Sequence, residues 1–153
     1  MIITDLALLE NIDVSVGGTL SDLHIGDGSA VAGALTGVVS TAIDYDVAAP
    51  ALGATDNIID FGSVATGTAG IAAALAGGTN ATTIKESGAA DFTDGDALLF
   101  VVRNTGANIT EIGHVVVGGT NGLNGAGETF TVVAQSTNTL TSAEVAGLID
   151  LVA

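Results

Sequence analysis

The sequence contains no cysteine and no tryptophan, a single proline, and only two basic residues, Lys85 and Arg103. Without cysteine, the chain can form neither disulfide bonds nor thiolate metal sites. Because the chain has 17 Asp and Glu residues and only these two basic residues, the formal net charge is −15 over 153 residues. A chain with this charge repels other polyanions, so we expect no nucleic-acid partner.

Long apolar runs are also missing from the sequence. The longest, residues 71–76 and 97–102, are far shorter than the roughly 18 residues that a membrane-spanning helix needs. The first residues carry no basic side chain and are interrupted by Asp5, Glu10 and Asp13, so they do not resemble an amino-terminal signal peptide. We therefore expect no insertion into a membrane.

Charged residues make up 12% of the chain, against roughly 25% in ordinary domains, although 48% of the residues are hydrophobic. The surface must therefore be built largely from Thr, Ser, Asn, Gly and Ala. A surface of small neutral side chains is poorly protected against association, which favours packing against copies of the same chain. The length indicates a single domain spanning residues 1–153.

Alternation of apolar and polar residues dominates the sequence and predicts β-strands. The pattern is clearest in residues 12–16 and 43–47, where branched or aromatic residues alternate with Asp or Ser. Glycine-rich turns separate the apolar segments. Further strands are expected at residues 20–25, 58–61, 98–103, 109–117 and 129–135, with residues 103–109 forming a hairpin loop.

Two segments have the pattern of short helices. Residues 68–77 are rich in alanine and end at a pair of glycines. Thr141 and Glu144 have the spacing of a capping box, which predicts a helix carrying Val145, Leu148, Ile149 and Val152. We expect a mainly β fold, an antiparallel β-sandwich of jelly-roll type, with one or two short helices.

The densest group of carboxylates is Asp91, Asp94 and Asp96, directly before an apolar strand. Gly95 allows the chain to bend, so the three carboxylates could converge on one calcium ion, which takes six to eight oxygen ligands. The alternative is that Asp94 and Asp96 only form a turn and cap the strand. Weaker candidate pairs are Asp22 with Asp27, Asp44 with Asp46, and Asp56 with Asp60; for each of these, screening by solvent is favoured over an ion.

The remaining chemically interesting residues give no catalytic signature. His24 and His114 lie on strand-like segments, where a single histidine is more often packed or hydrogen-bonded than a ligand of metal or haem. Lys85 could form an amide cross-link to an Asn or Asp, or simply pair with Glu86. There is no nucleophile elbow and no phosphate-binding loop. We expect no enzymatic activity.

Two segments resemble those of a known protein family. The first is residues 91–102, Asp-Phe-Thr-Asp-Gly-Asp-Ala-Leu-Leu-Phe-Val-Val, and the second is residues 140–145, Leu-Thr-Ser-Ala-Glu-Val. Residues 91–153 resemble the carboxy-terminal regions of bacterial type I (ABC-exporter) secreted proteins, including calcium-binding repeat-in-toxin and large surface proteins. The defining Gly-Gly-x-Gly-x-Asp repeat is missing, so the resemblance does not imply a calcium-bound β-roll. It implies export to the extracellular space through an uncleaved signal in residues 141–153.

The leading hypothesis is an extracellular structural protein, a calcium-stabilised subunit that assembles with itself into a surface layer or filament. Residues 1–16 could be a strand exchanged between copies, or an ordinary first strand of their own domain. The alternative function is a secreted module that binds carbohydrate or haem, although few aromatic residues are available for either ligand. Cell-surface polysaccharide is a further candidate partner.

Overall fold

The computed structural model describes the backbone of residues 3–4, 12–15, 35–36, 38–119 and 122–152, and the side chains of 38–119 and 122–148. Within these ranges the protein is mainly β, with only two short α-helices. The strands are β1 (Ile3–Thr4), β2 (Ile12–Ser15), β3 (Leu35–Thr36), β4 (Ile58–Val64), β5 (Ala97–Asn104), β6 (Ile109–Val116), β7 (Thr129–Ser136) and β8 (Ile149–Val152); the helices are α1 (Ile71–Gly77) and α2 (Ser142–Ala146).

The four long strands form a mixed sheet in the order β7-β6-β5-β4, which β1 extends by two residues beside β7. The β5–β6 and β6–β7 pairs are antiparallel, whereas β4 runs parallel to β5 and β1 parallel to β7. A second, three-stranded sheet has the order β2-β8-β3. The prediction of a purely antiparallel arrangement was therefore wrong, and the described residues do not show a sandwich.

The parallel pair arises from the connection between β4 and β5. Parallel neighbours need a crossover of a dozen or more residues, commonly through a helix. Here a 3₁₀ turn (Gly67–Gly70) leads directly into α1, and the chain then returns to β5. This confirms the predicted helix over residues 68–77, and the crossover through it allows β4 to lie parallel to β5.

One face of the main sheet is built around three phenylalanines. The rings of Phe61, Phe100 and Phe130 contact one another edge-to-face, with all three centroid distances at 5.8 Å. Such contacts add stabilisation beyond the buried area alone. Ile71 and Leu75 of α1 are fully buried in the same cluster. The 3% of aromatic residues is therefore concentrated in the core.

Gly113 on β6 makes room for this aromatic cluster. A Cβ atom at position 113 would lie 2.0 Å from the Thr131 carbonyl oxygen and 2.8 Å from the Phe100 ring. Only glycine allows β6, β7 and the ring to approach this closely. The pairing between β6 and β7 also shifts register beside Gly113.

The opposite face of the main sheet is buried as well. Its apolar side chains, which alternate with those of the aromatic face, are at most 3% exposed: Ile58, Leu99, Val101, Ile112 and Ala134. Strands buried on both faces read as nearly continuous apolar runs. This explains the uninterrupted sequence Ala-Leu-Leu-Phe-Val-Val in β5.

Most predicted strands in the described ranges are confirmed, but two local predictions were wrong. Residues 43–47 form a turn rather than a strand, closed by a hydrogen bond from Val47 N to Asp44 O of 3.2 Å. The helix after Thr141 ends at Ala146, and Ile149–Val152 form strand β8 between β2 and β3 instead. The predicted strand at residues 20–25 lies outside the described residues.

The amino-terminal segment is divided between the two sheets. Ile3 and Thr4 pair with Ala134 and Gln135, whereas Ile12–Ser15 pair with Ile149–Val152. Both contacts lie within one chain, so an exchange of this segment between copies stays a prediction. None of the helices in the described ranges is long and apolar enough to cross a membrane.

Candidate functional site

The three carboxylates of the predicted calcium cluster each have their own protein partner. Asp91 forms an ion pair with Lys85. Asp94 Oδ1 accepts a hydrogen bond of 2.8 Å from Gly119 N. Asp96, which is 7% exposed, accepts one of 2.8 Å from Thr93 N. These contacts match the alternative interpretation, in which the acidic segment shapes the turn before β5.

The pair Asp44 and Asp46 also stabilises local structure. Asp44 Oδ1 accepts a hydrogen bond from Asp46 N at 2.9 Å, which is an Asx turn and explains why this segment leaves the extended conformation. Asp46 Oδ1 accepts from Thr79 N at 3.1 Å. The hydrogen bonds from Thr79 lower the pKa of Asp46 below its ordinary value.

In the part of the chain that the structure describes, no group of three or more His, Asp or Glu side chains is arranged to hold a metal ion. Asp22, Asp27 and His24 lie outside that part. His114 is on β6 opposite Leu99, and partial burial lowers the pKa of its imidazole. Calcium binding therefore stays a prediction, and the described residues do not identify its ligands.

A buried ion pair joins β4, β5 and the start of α2. Arg103 pairs with Asp60, whose side chain is fully buried. Arg103 Nε also donates to the Leu140 carbonyl at 2.6 Å. Asp60 Oδ1 accepts from Gly62 N at 2.8 Å, and its Oδ2 accepts from the Ser142 hydroxyl. The polar atoms of this network satisfy one another, which is what makes a buried charge tolerable.

A cleft of about 550 Å³ lies over this network, lined by residues of the 42–45, 60–63 and 139–142 segments. The Tyr45 hydroxyl at its wall donates to the Phe61 carbonyl at 2.6 Å. Burial and the nearby Asp60 carboxylate raise the pKa of Tyr45 above its ordinary value, so it remains a donor. The cleft is large enough for a small ligand, but its buried polar groups already bond to the protein.

Glu111 performs a similar role on the other side of the sheet. Its Oε2 accepts hydrogen bonds from both Thr68 N, at 2.7 Å, and Thr68 Oγ1, at 2.9 Å. It thereby holds the 3₁₀ turn that begins α1. Gln135 Nε2 donates to the other oxygen at 3.2 Å. This carboxylate thus anchors the crossover helix to β6 and β7.

The two edge strands of the main sheet, β4 and β7, differ in how far other segments pair with them. The β4 edge is covered by the preceding segment, with hydrogen bonds from Ser40 N to Ile58 O of 2.9 Å and from Ile43 N to Asp60 O of 2.8 Å. In the part of the chain that the structure describes, β1 covers the β7 edge at Ala134 and Gln135. Among the described residues, no strand pairs with the outer side of residues 129–133.

Sequence reasoning identified neither the Asp60–Arg103 pair nor the β7 edge at residues 129–133 as features. A signal for the pair existed, because each residue is a lone charge beside a strongly apolar strand segment and a charge buried there needs a partner. The edge had no such signal, since strand order cannot be read from alternation. No protein-family model, curated protein or solved structure matches this chain.

Proposed function

We propose that this protein is an extracellular structural protein, a calcium-stabilised subunit that assembles with copies of itself into a surface layer or filament. The observation that carries the proposal is the edge of β7 at residues 129–133, with which no strand of the described residues pairs on its outer side and which contains no charged residue in a chain of net charge −15. Open strand edges are templates for pairing with another chain, and natural monomers usually block them with charges, prolines or bulges. Residues 129–133 carry neither a charge nor a proline, and the register of β7 against β6 shifts between Val132 and Ala134.

Charge supports the same proposal. Two copies that each carry −15 repel over most of their surface, so association must use uncharged regions and be strengthened by counter-ions. The test is electron microscopy of the purified protein in millimolar calcium and in chelator. We expect filaments or sheets in calcium. A uniform monomer in both conditions, checked by sedimentation, would contradict the proposal.

Calcium is the second part of the proposal, and it rests on the net charge and on the spacing of Asp91, Asp94 and Asp96. Calcium bound to these carboxylates would compete with the contacts that Lys85 and Gly119 make to them. Isothermal titration with calcium, with magnesium as the control cation, measures this binding. The variant Asp94→Asn should weaken it if the cluster holds the ion.

Export through a carboxy-terminal signal in residues 141–153 is the third part, and it rests on the resemblance to type I secreted proteins. Deleting the segment is a poor test, because Val145 and Leu148 are buried and β8 pairs with two strands. We therefore propose to attach residues 91–153 to a passenger protein in a host with a type I exporter. Passenger that stays inside the cell, as with a scrambled segment, would contradict this part.

A jelly-roll-like sandwich, in which the sheet β2-β8-β3 covers the main sheet, belongs to the same proposal. Burial of Leu99, Val101 and Ile112 on the second face supports it, because that face needs an apolar covering layer. Nuclear Overhauser contacts between these side chains and those of β2 or β8 would test the arrangement.

Exchange of residues 1–16 between copies is tested by deleting residues 1–11 and following polymerisation.

The alternative function, a secreted module that binds carbohydrate or haem, is favoured by the cleft of about 550 Å³ beside Tyr45 and Arg103. Its volume lies within the usual range of small-molecule sites. Against it stands the satisfaction of the buried polar groups, which leaves few donors aimed at a ligand. Titration with soluble glycans and with haem, using Tyr45 fluorescence as the readout, decides between the two functions.

A further inference from the structure

The loop between β6 and β7 ends in a carboxylate with one oxygen that has no protein partner. The Glu128 side chain is half-buried, and its Oε1 accepts a hydrogen bond of 2.8 Å from Asn124 N. Its Oε2 is buried and has no hydrogen-bond partner among the described residues. Buried polar atoms of native proteins are nearly always paired, and a bound ion is one explanation of an exception.

The charge of the chain leaves no basic side chain for this oxygen. A buried carboxylate oxygen without a partner is costly, because it has lost its hydration and gained no bond in return. The two basic residues, Lys85 and Arg103, form ion pairs with Asp91 and Asp60. A cation that pairs with Glu128 must therefore come from solution.

The loop offers further oxygen ligands beside Glu128. The bond from Asn124 N to Oε1 closes a short ring of residues 124–128, which holds the carbonyl groups of this ring near the carboxylate. Among the described residues, no backbone N–H donates to the carbonyl oxygens of residues 124–127. Calcium accepts backbone carbonyls together with a carboxylate. Such a site needs no cluster of acidic side chains.

The same loop is anchored to the rest of the fold. Leu123 and Ile84 exchange two backbone hydrogen bonds, of 2.8 and 3.1 Å. Gly125 lies so close to α1 that a Cβ atom at this position would be 2.9 Å from the backbone of Ala72. An ion bound by Glu128 would therefore join the start of β7 to a loop that α1 and residue 84 already hold, and it would stabilise the folded chain.

We infer that Glu128 and the carbonyl oxygens of residues 124–127 bind a calcium ion. The inference rests on the proposed stabilisation by calcium, and it assigns the ion to the loop before β7 instead of to Asp91, Asp94 and Asp96. Magnesium fits less well, because it requires near-octahedral geometry and usually keeps several waters. A site with a single carboxylate should be weak, with a Kd of about 10⁻⁴–10⁻³ M, as in extracellular calcium modules.

The test variant is Glu128→Gln, and the matched control is Glu86→Gln, which makes the same change outside the loop. Glutamine keeps the size of the side chain and still accepts from Asn124 N, but it removes the charge. Isothermal titration measures calcium binding, with magnesium as the control cation. We expect Glu128→Gln to weaken calcium binding by about tenfold or more, and Glu86→Gln to leave it unchanged.

Thermal melts give the variant a second signature. In chelator, Glu128→Gln should melt no lower than the wild type, because it loses an unpaired charge and no hydrogen bond. In calcium above the Kd, only the wild type and Glu86→Gln should melt higher than in chelator. Circular dichroism verifies that both variants keep the wild-type fold.

A further measurement needs no variant. In isotope-labelled wild-type protein, calcium should shift the amide resonances of residues 124–128, above all that of Asn124, which donates to Glu128. Shifts confined to residues 91–96, or a Glu128→Gln variant that binds calcium as tightly as the wild type, would overturn this site and leave calcium binding standing. A wild type with neither heat nor shifts would overturn the calcium part of the proposed function as well. Self-assembly is judged separately, by microscopy.

Discussion

Replacing Arg103 by methionine tests how the buried ion pair holds β4, β5 and α2 together. The Asp60 side chain is fully buried and that of Arg103 is 9% exposed. Methionine keeps most of the aliphatic packing but removes the charge. Breaking a buried pair in this way typically costs about 3–5 kcal/mol, because it leaves an uncompensated charge in the interior.

The structure indicates that the stability lost in Arg103→Met lies toward the lower end of this range. Asp60 would keep the donors Gly62 N, at 2.8 Å, and the Ser142 hydroxyl, whereas the Leu140 carbonyl would lose its bond from Arg103. We therefore expect a loss of about 3 kcal/mol in the free energy of unfolding. For a chain of this length, this corresponds to a melting temperature lower by roughly 6–12 °C.

The matched control is Lys85→Met, which removes the chain's other basic residue and changes the net charge equally. Lys85 pairs with Asp91, whose side chain is 44% exposed, and exposed pairs contribute about 0–1 kcal/mol. Urea unfolding followed by far-ultraviolet circular dichroism measures both variants. If Arg103→Met lost no more stability than Lys85→Met, the conclusion that the buried ion pair stabilises the contact of β4, β5 and α2 would be refuted.

The double variant Asp60→Leu with Arg103→Met extends the same test. Replacing both members by apolar residues removes the uncompensated charge that each single replacement leaves behind. The double variant should therefore lose clearly less stability than the sum of the two single variants, a coupling that a double-mutant cycle measures. Additive losses would mean that the two side chains do not act as a pair.

Three further predictions concern the core, a helix cap and calcium. Gly113→Ala should cost about 3 kcal/mol in urea unfolding because the added methyl group has no room, whereas Gly77→Ala, which meets nothing within 4 Å, should gain about 0.5–1 kcal/mol; equal effects would contradict the packing argument. Hydrogen bonds from Thr141 lower the pKa of Glu144 from 4.5, so its contribution to stability is complete above pH 4.5 and is lost as the pH falls through the lowered pKa. Thr141→Ala should reduce the stability at pH 7 and flatten the pH profile in that window, and an unchanged profile would exclude this capping box. Calcium at one hundred times its dissociation constant should add about 2.7 kcal/mol of stability, and thermal melts that are identical in calcium and chelator would exclude specific binding.

Local features of the fold were predictable because they depend on neighbouring residues. Alternation identified the long strands, and the spacing of Thr141 and Glu144 identified the capping box that the structure contains. The turn at residues 43–47 was missed, because the same alternation also places Asp44 where its carboxylate can bond to the Asp46 amide. The hydrogen bond from Thr79 N to Asp46 Oδ1 also holds the turn, and alternation does not reveal a partner 33 residues away.

Composition and side-chain period were enough to predict the mainly β class, the acidic low-charge surface, the absence of disulfides and the positions of most strands. These properties follow from composition and from side-chain period, which need no knowledge of distant contacts. Long-range packing is what brings Asp60 to Arg103 across 43 residues and sets β4 parallel to β5. The physical reason is that strand order depends on how both faces of the sheet are covered, and this is a property of the whole packed chain rather than of any segment.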